Sequence, residues 1–156
     1  MTNLDAFTRA YIEAALWSST AYGSPDENEA DPANANGDRH GTFDASFQAC
    51  NYDAGDLSPE LLAHVIEDCA AFQRDQADLL ARAYASEVWI CGERYNAACA
   101  GHDFWLTRNG HGAGFWDRGL PDAVGTALTD AAHAYGSEDW YVDDPEQDYS
   151  GVIRGW

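Results

Sequence analysis

From Asn3 to Ser19 the apolar residues Leu4, Phe7, Tyr11, Ala14, Ala15 and Trp17 recur close to a 3.6-residue period, which predicts a first helix. Thr2 or Asn3 is placed to cap it, and Asp5 suits its first turn. Ser18-Ser19-Thr20 and then Gly23-Ser24-Pro25 end it. A stronger helix starts at Ser58, with Ser58 as N-cap, Pro59 at the first helical position and Glu60 near the positive end of the dipole. Its apolar stripe is Leu62, Val65, Cys69, Phe72, Leu79 and Ala83, and it is expected to run to about Ser86. The opposite face carries Glu60, Glu67, Asp68, Asp75 and Asp78, diluted by Arg74 and Arg82. Such a face is most often simply solvated. A third helix is expected from Pro121 to about Tyr135, stopped by Gly136.

Between the second and third helices the pattern changes. Glu87 to Ala100 fits either a short strand at Val88–Cys91 or a continued helix, and a helical turn or irregular connection is favoured. From Gly101 to Gly119 two aromatic runs flank Asn109-Gly110-His111-Gly112. Asn-Gly adopts positive φ readily, so this segment is predicted to be a β-hairpin with a glycine-rich loop. Trp140-Tyr141-Val142 reads as a strand, and Gly151 to Arg154 as a last one. Tyr22 to Asn51 has no period and is dense in Gly, Pro, Asn and Asp. It reads as an acidic loop at about 21–52 that carries Asp26, Glu27, Glu29 and Asp31, with an ordered patch at Thr42–Phe47. The predicted fold is α+β: two N-terminal helices packed on a small antiparallel sheet of order β-β-α-β(-β), in a single domain over 1–156.

Charge changes the functional picture. The 156 residues hold 27 carboxylates and 8 basic side chains, a formal net charge of −19. Such a surface repels nucleic acid and anionic lipid and attracts basic partners, so direct nucleic-acid binding is not expected. All 8 basic residues are arginine. A lysine-free acidic chain fits two origins, a genome-wide bias or a function that needs negative charge. No apolar run is long enough to span a bilayer, and Met1-Thr2-Asn3-Leu4-Asp5 lacks the basic and apolar regions of a secretory signal, so a cytoplasmic location is expected. Cys50, Cys69, Cys91 and Cys99 form no CxxC pair and are expected to be free, mostly buried thiols. Cys91, Cys99, His102 and His111 are a weak zinc candidate, because structural zinc sites usually show two tight ligand pairs. Asp31 to Asp38 lacks the alternating carboxylates and closing Glu of a calcium loop. No metal or cofactor is expected.

The run GHDFWLTRNGHGAGFWDRG, Gly101 to Gly119, resembles the signature of a family of small acidic proteins of bacteriophages and prophages. Phe7 to Thr20, Leu57-Ser58-Pro59-Glu60 and Asp68-Cys69-Ala70-Ala71-Phe72 resemble it as well, so the likeness covers most of the chain. Arg82 to Cys99 departs from it as a longer link. The resemblance implies a phage origin and a bacterial host cell, and it carries no mechanism.

Two chemistries compete for the 101–119 segment. In a catalytic reading, His111 is a general base oriented by Asp103 or Asp117, His102 lies nearby, and Arg108 and Arg118 hold an anion. In a structural reading, these residues serve turn chemistry and Arg108–Asp117 is a cross-strand ion pair. The structural reading is favoured, because no nucleophile elbow, P-loop, zincin helix or dinucleotide fingerprint is present. Neither His64 nor His133 suggests a site. In a phage, −19 acquires a use: host nucleases and restriction or CRISPR complexes expose arginine and lysine channels that spaced carboxylates can occupy. The expected function is that of an inhibitor that mimics nucleic-acid phosphates and binds such a basic host protein. The partner-binding residues would be Glu60, Glu67, Asp68, Asp75, Asp78, Asp143, Asp144, Glu146 and Asp148. Glu60 and Glu67 lie two helical turns apart, about 10 Å. The alternatives are an accessory protein whose charge reflects its genome, and a small enzyme built on His102 and His111.

Overall fold

Asp5 opens the first helix. Its carboxylate accepts the Thr8 N–H at 2.7 Å and its carbonyl accepts the Arg9 N–H, so Asp5, rather than Thr2 or Asn3, is the N-cap of α1, Ala6–Ser18. The structure, a computed structural model, describes residues 3–19, 46–143 and 151–155. Ser58 opens α2, Pro59–Asp75, with its hydroxyl accepting the Leu61 N–H at 3.1 Å. At Gln76 (φ −108°, ψ 19°) the helix breaks, and α3, Ala77–Tyr84, follows. A hairpin of two-residue strands comes next, β1, Trp89–Ile90, and β2, Glu93–Arg94. Then come α4, Ala97–Arg108, a 3-10 turn, Phe115–Asp117, and α5, Asp122–His133, with Gly136 beyond it at φ 73°. Finally β3, Trp140–Asp143, pairs antiparallel with β4, Val152–Gly155.

The predicted α+β arrangement is therefore corrected. Helices run throughout the described chain, with α4 in place of the expected first hairpin and the expected second helix split into α2 and α3, and the strands form two separate antiparallel pairs, β1-β2 and β3-β4, instead of one sheet that helices cover. The largest error is at 101–119, which is helix and turn. Gly110 (φ 68°) does use the positive φ that Asn-Gly signals, but at the end of α4. The His111 N–H reaches the Leu106 carbonyl and the Gly110 N–H the Thr107 carbonyl, the paired bonds of a Schellman stop. The only hairpin in this region among the described residues turns at Cys91 (φ 49°) and Gly92 (φ 87°), the two positive φ values a type I′ loop requires. Within Val88–Cys91, Trp89–Ile90 thus forms a strand and not a helical turn, with Cys91 in the hairpin turn. Thr42–Ala45, within the expected ordered patch, lie outside the described residues, whereas Phe47 is fully buried.

By its contacts the chain divides into two compact units, Met1–Ala15 with Ala63–Glu138, and Leu16–Leu62 with Asp139–Trp156. In the first, the Phe72 ring stacks on Phe104 at 4.1 Å and lies within 6.0 Å of the rings of Phe7, Phe115 and Tyr135. Gly101 of α4 lets that helix approach α1 closely, since a Cβ there would run into the Phe7 carbonyl. Leu80, rather than Leu79, takes the inward place after the break at Gln76. In the second unit Leu16, Phe47, Tyr52, Leu57, Leu61, Trp140 and Ile153 are buried, and the Ser58 N–H donates to the Ile153 carbonyl at 2.8 Å. Leu16 turns inward there, while Trp17, expected in the apolar stripe, is exposed.

The Asp5 cap gives a testable acid dependence. Partial burial on its own would raise this carboxyl, but the Thr8 N–H and the Gln73 side-chain amide outweigh it and hold it below the ordinary 3.8. A carboxyl lowered in the folded state contributes stability above its unfolded pKa and loses it as pH falls through the folded value. Asp5→Ala should cost about 1 kcal/mol at pH 6. Asp5→Asn keeps a capping oxygen, so it should cost little at pH 6 and lose less stability than the parent between pH 6 and pH 3. Urea unfolding at both pH values checks this, and equal losses in the parent and Asp5→Asn would refute the assignment.

Candidate functional site

Helix α4 is the centre of the polar chemistry. Asn96 caps it, its side-chain oxygen accepting the N–H groups of Ala98 (2.9 Å) and Cys99 (3.2 Å). Every residue from Asp103 to Arg108 is buried, so two ionic side chains lie inside the first unit. A buried charge is tolerated only when paired and hydrogen-bonded, and both are.

Arg108 meets five acceptors. Its Nε donates to the Gly136 carbonyl at 2.8 Å and its Nη2 to that of Tyr135 at 3.2 Å, just beyond α5. Its Nη1 donates to the Tyr11 hydroxyl oxygen (2.8 Å), Asp68 Oδ2 (2.9 Å) and Glu138 Oε2 (3.4 Å). The Tyr11 hydroxyl donates in turn to Glu138 Oε2 at 2.7 Å. Burial, then the Glu138 charge, pushes the Tyr11 phenol well above its usual range, so it remains a donor. Asn109 Oδ1 accepts the Glu138 N–H at 2.8 Å. His64, half-exposed on α2, places Nε2 3.5 Å from Asp68 Oδ2 and 3.6 Å from Glu138 Oε1.

Asp103 is the second hub. Its Oδ1 accepts both Nε (2.8 Å) and Nη2 (2.7 Å) of Arg118, and its Oδ2 accepts the Tyr95 hydroxyl at 2.8 Å. The bonds to Asp103 hold the Arg118 guanidinium above its ordinary pKa against the opposing effect of burial. Burial and the neighbouring Asp103 charge raise the Tyr95 phenol far beyond its usual range.

This geometry does not bring together the groups that the catalytic reading joins. Asp103 faces Arg118 and Tyr95, and Asp117 Oδ1 accepts the Gly114 N–H at 2.9 Å, so the carboxylates expected to orient His111 are engaged elsewhere. The expected Arg108–Asp117 pair is replaced by Arg108 with Asp68 and Glu138. Neither guanidinium is presented to an external anion: their side chains are 4% and 20% exposed and bound to internal carboxylates. Partial burial lowers the His111 imidazole from its ordinary range. Among the described residues, no three His, Cys, Asp or Glu side chains are gathered to hold a metal ion. Cys91 is exposed at the hairpin turn, Cys99 is half-buried, and Cys50 and Cys69 are buried, and no disulfide joins any of the four. No helix among the described residues is long and apolar enough to cross a membrane.

The expected partner-binding carboxylates have divergent settings. Glu60 is exposed at the start of α2, in the second unit. In the first unit Glu67, Asp75 and Asp78 are exposed, Asp75 paired with its neighbour Arg74 at 2.9 Å and Asp78 on α3 beyond the break. Asp68, with 17% of its side chain exposed, is turned in to Arg108. Asp143 ends β3, and its side chain lies outside the described residues, as do Asp144, Glu146, Asp148, Asp26, Glu27, Glu29 and Asp31. Tyr11, His64, Tyr95 and Glu138 were not legible as site residues, because Tyr11 and Glu138 meet Arg108 across 97 and 30 residues and no local pattern marks such partners.

Fold and site define a mainly helical, strongly acidic protein whose best-formed arginine forks face inward. Compared with protein-family models, with curated proteins and with solved structures, the chain gives no match.

Proposed function

We propose that this protein is an acidic phage-encoded inhibitor that binds a basic, nucleic-acid-handling host protein of the restriction or CRISPR type as a phosphate mimic, and that it is not an enzyme. The observation that carries this reading is the inward use of Arg108 and Arg118. Two cations are set against three internal carboxylates, Asp68, Glu138 and Asp103, so these five groups sum to a formal −1. Subtracting these from 27 acids and 8 arginines leaves 24 against 6, a net −18 for the rest of the chain. Glu67, Asp75 and Asp78 supply part of that charge on solvent-facing helix positions. Such an excess of carboxylate suits channels built for phosphates, and its affinity should fall steeply with salt. The resemblance to acidic phage proteins supports a bacterial host cytoplasm as the place of action.

The test is a pull-down from bacterial lysate at about 0.1 M and about 0.5 M salt, with mass spectrometry of bound proteins and duplex DNA or RNA as competitor. A basic nuclease or defence component should be retained at low salt, lost at high salt and displaced by nucleic acid. Capture that resists both salt and nucleic acid, or no capture at either salt, would refute mimicry.

A further inference from the structure

In the first unit Trp89 is 60% exposed and Trp116 57% exposed. Single exposed apolar side chains are ordinary. Here the backbone beneath both is unusually constrained. Trp116 lies in the 3-10 turn Phe115–Asp117, where Phe115 is fully buried and its N–H donates to Thr107 Oγ1 at 3.1 Å. Gly114, which opens that turn, donates to Asp117 Oδ1 and has no room for a Cβ, which would meet the Thr107 hydroxyl. Arg118, which follows it, forks onto Asp103 Oδ1. Trp89 lies in the β1-β2 hairpin, whose base is closed by the Tyr95 N–H to the Val88 carbonyl at 2.9 Å. The Tyr95 hydroxyl then takes the other oxygen of Asp103. One buried carboxylate roots both segments, and each presents one large indole to solvent.

The charges around these indoles favour a cationic occupant. Glu87 and Glu93 are exposed, with Arg94 bonded to Glu87 at 2.8 Å; Asp117, its side chain 30% exposed, accepts the Gly114 N–H through Oδ1 and lies 3.9 Å from Arg118 Nε, whose charge is met chiefly by Asp103. The two segments therefore carry a surplus of carboxylate beside aromatic faces. We propose that Trp89 and Trp116 anchor the basic partner, with its arginine or lysine side chains stacking on the indoles while the flanking carboxylates meet their charge. The inference rests on the inhibitor reading above and moves the anchor from the α2 and α3 carboxylates to the hairpin and the 3-10 turn. Because the supporting backbone is already fixed, little ordering is needed on binding. Tryptophans that a partner covers on binding are frequent energetic anchors in interfaces.

The experiment follows the indole N–H resonances of the 6 tryptophans in the full chain while octa-arginine is added at about 50 mM salt. Trp89→Phe and Trp116→Phe assign the two signals. Both should shift with the peptide, and Trp89→Ala and Trp116→Ala should each weaken binding about three- to fivefold without moving the unfolding midpoint. Binding that shifts α2 and α3 amides but leaves these two indoles unmoved overturns the anchor and leaves the inhibitor reading standing. Indole shifts that follow protein concentration without peptide overturn it in favour of a second copy of this chain. No binding at all overturns both.

Discussion

Replacing Arg108 by methionine should destabilise the protein by about 3–5 kcal/mol, the range for removing one partner of a buried ion pair. Glu138 is 1% exposed, and Asp68 is mostly covered. Without the guanidinium, Glu138 keeps the Tyr11 hydroxyl as a donor, and the half-exposed His64 lies 3.5 Å from Asp68 and 3.6 Å from Glu138. The carbonyls of Tyr135 and Gly136 lose their donors as well. A loss of this size is a large part of the total stability of an ordinary domain. Arg108→Lys should recover little, because an ammonium on a flexible stem cannot meet five acceptors held in a fork. The combination Arg108→Met with Asp68→Asn and Glu138→Gln removes the uncompensated charge and should be clearly more stable than Arg108→Met alone. Denaturant unfolding of the four proteins checks this. An Arg108→Met variant within about 1 kcal/mol of the parent would mean that the network is not the linchpin its geometry implies.

The second large effect is expected at Phe72. Its ring is fully buried between Phe104, Phe7, Phe115 and Tyr135, so truncation empties a volume that α1, α2, α4 and the 3-10 turn all line. Phe72→Ala should cost about 3–5 kcal/mol, and Phe72→Leu noticeably less, because leucine refills most of the space. Trp116→Ala is the internal control, since truncating a side chain left 57% in solvent creates no cavity. Unfolding midpoints should rank parent and Trp116→Ala together, then Phe72→Leu, then Phe72→Ala. A Phe72→Ala midpoint close to the parent's would show that the aromatic cluster collapses around the gap at little cost.

Both effects centre on α4, the element least legible in the chain. A helix reveals itself by an apolar stripe only if one face meets water. From Asp103 to Arg108 every position is buried, so apolar residues fall on all sides and no 3.6-residue period stands out. The strongest local signal there was Asn109-Gly110, and it is ambiguous, because a left-handed residue suits a hairpin turn and a helix stop equally. What decides between them is whether the preceding residues find partners elsewhere: Phe104 on Phe72, and Arg108 on Asp68 and Glu138. The actual hairpin turns on Cys91-Gly92, and cysteine is no usual signal for positive φ.

The sequence by itself determined what depends on neighbours a few residues away. The stripes of α1 and α2 follow from periodicity, apart from Trp17, the start of α2 from Ser58, the end of α5 from Gly136, and β3 and β4 from short apolar runs. It also determined the net charge of −19, and with it the kind of partner the surface can attract. Tertiary structure alone decided which charges remain available. Arg108, Arg118, Asp68 and Asp103 read as surface or hairpin groups in the chain, and they become internal because their partners arrive from distant segments. Desolvation makes each of these groups dependent on the others, and only the folded chain brings them within hydrogen-bonding distance.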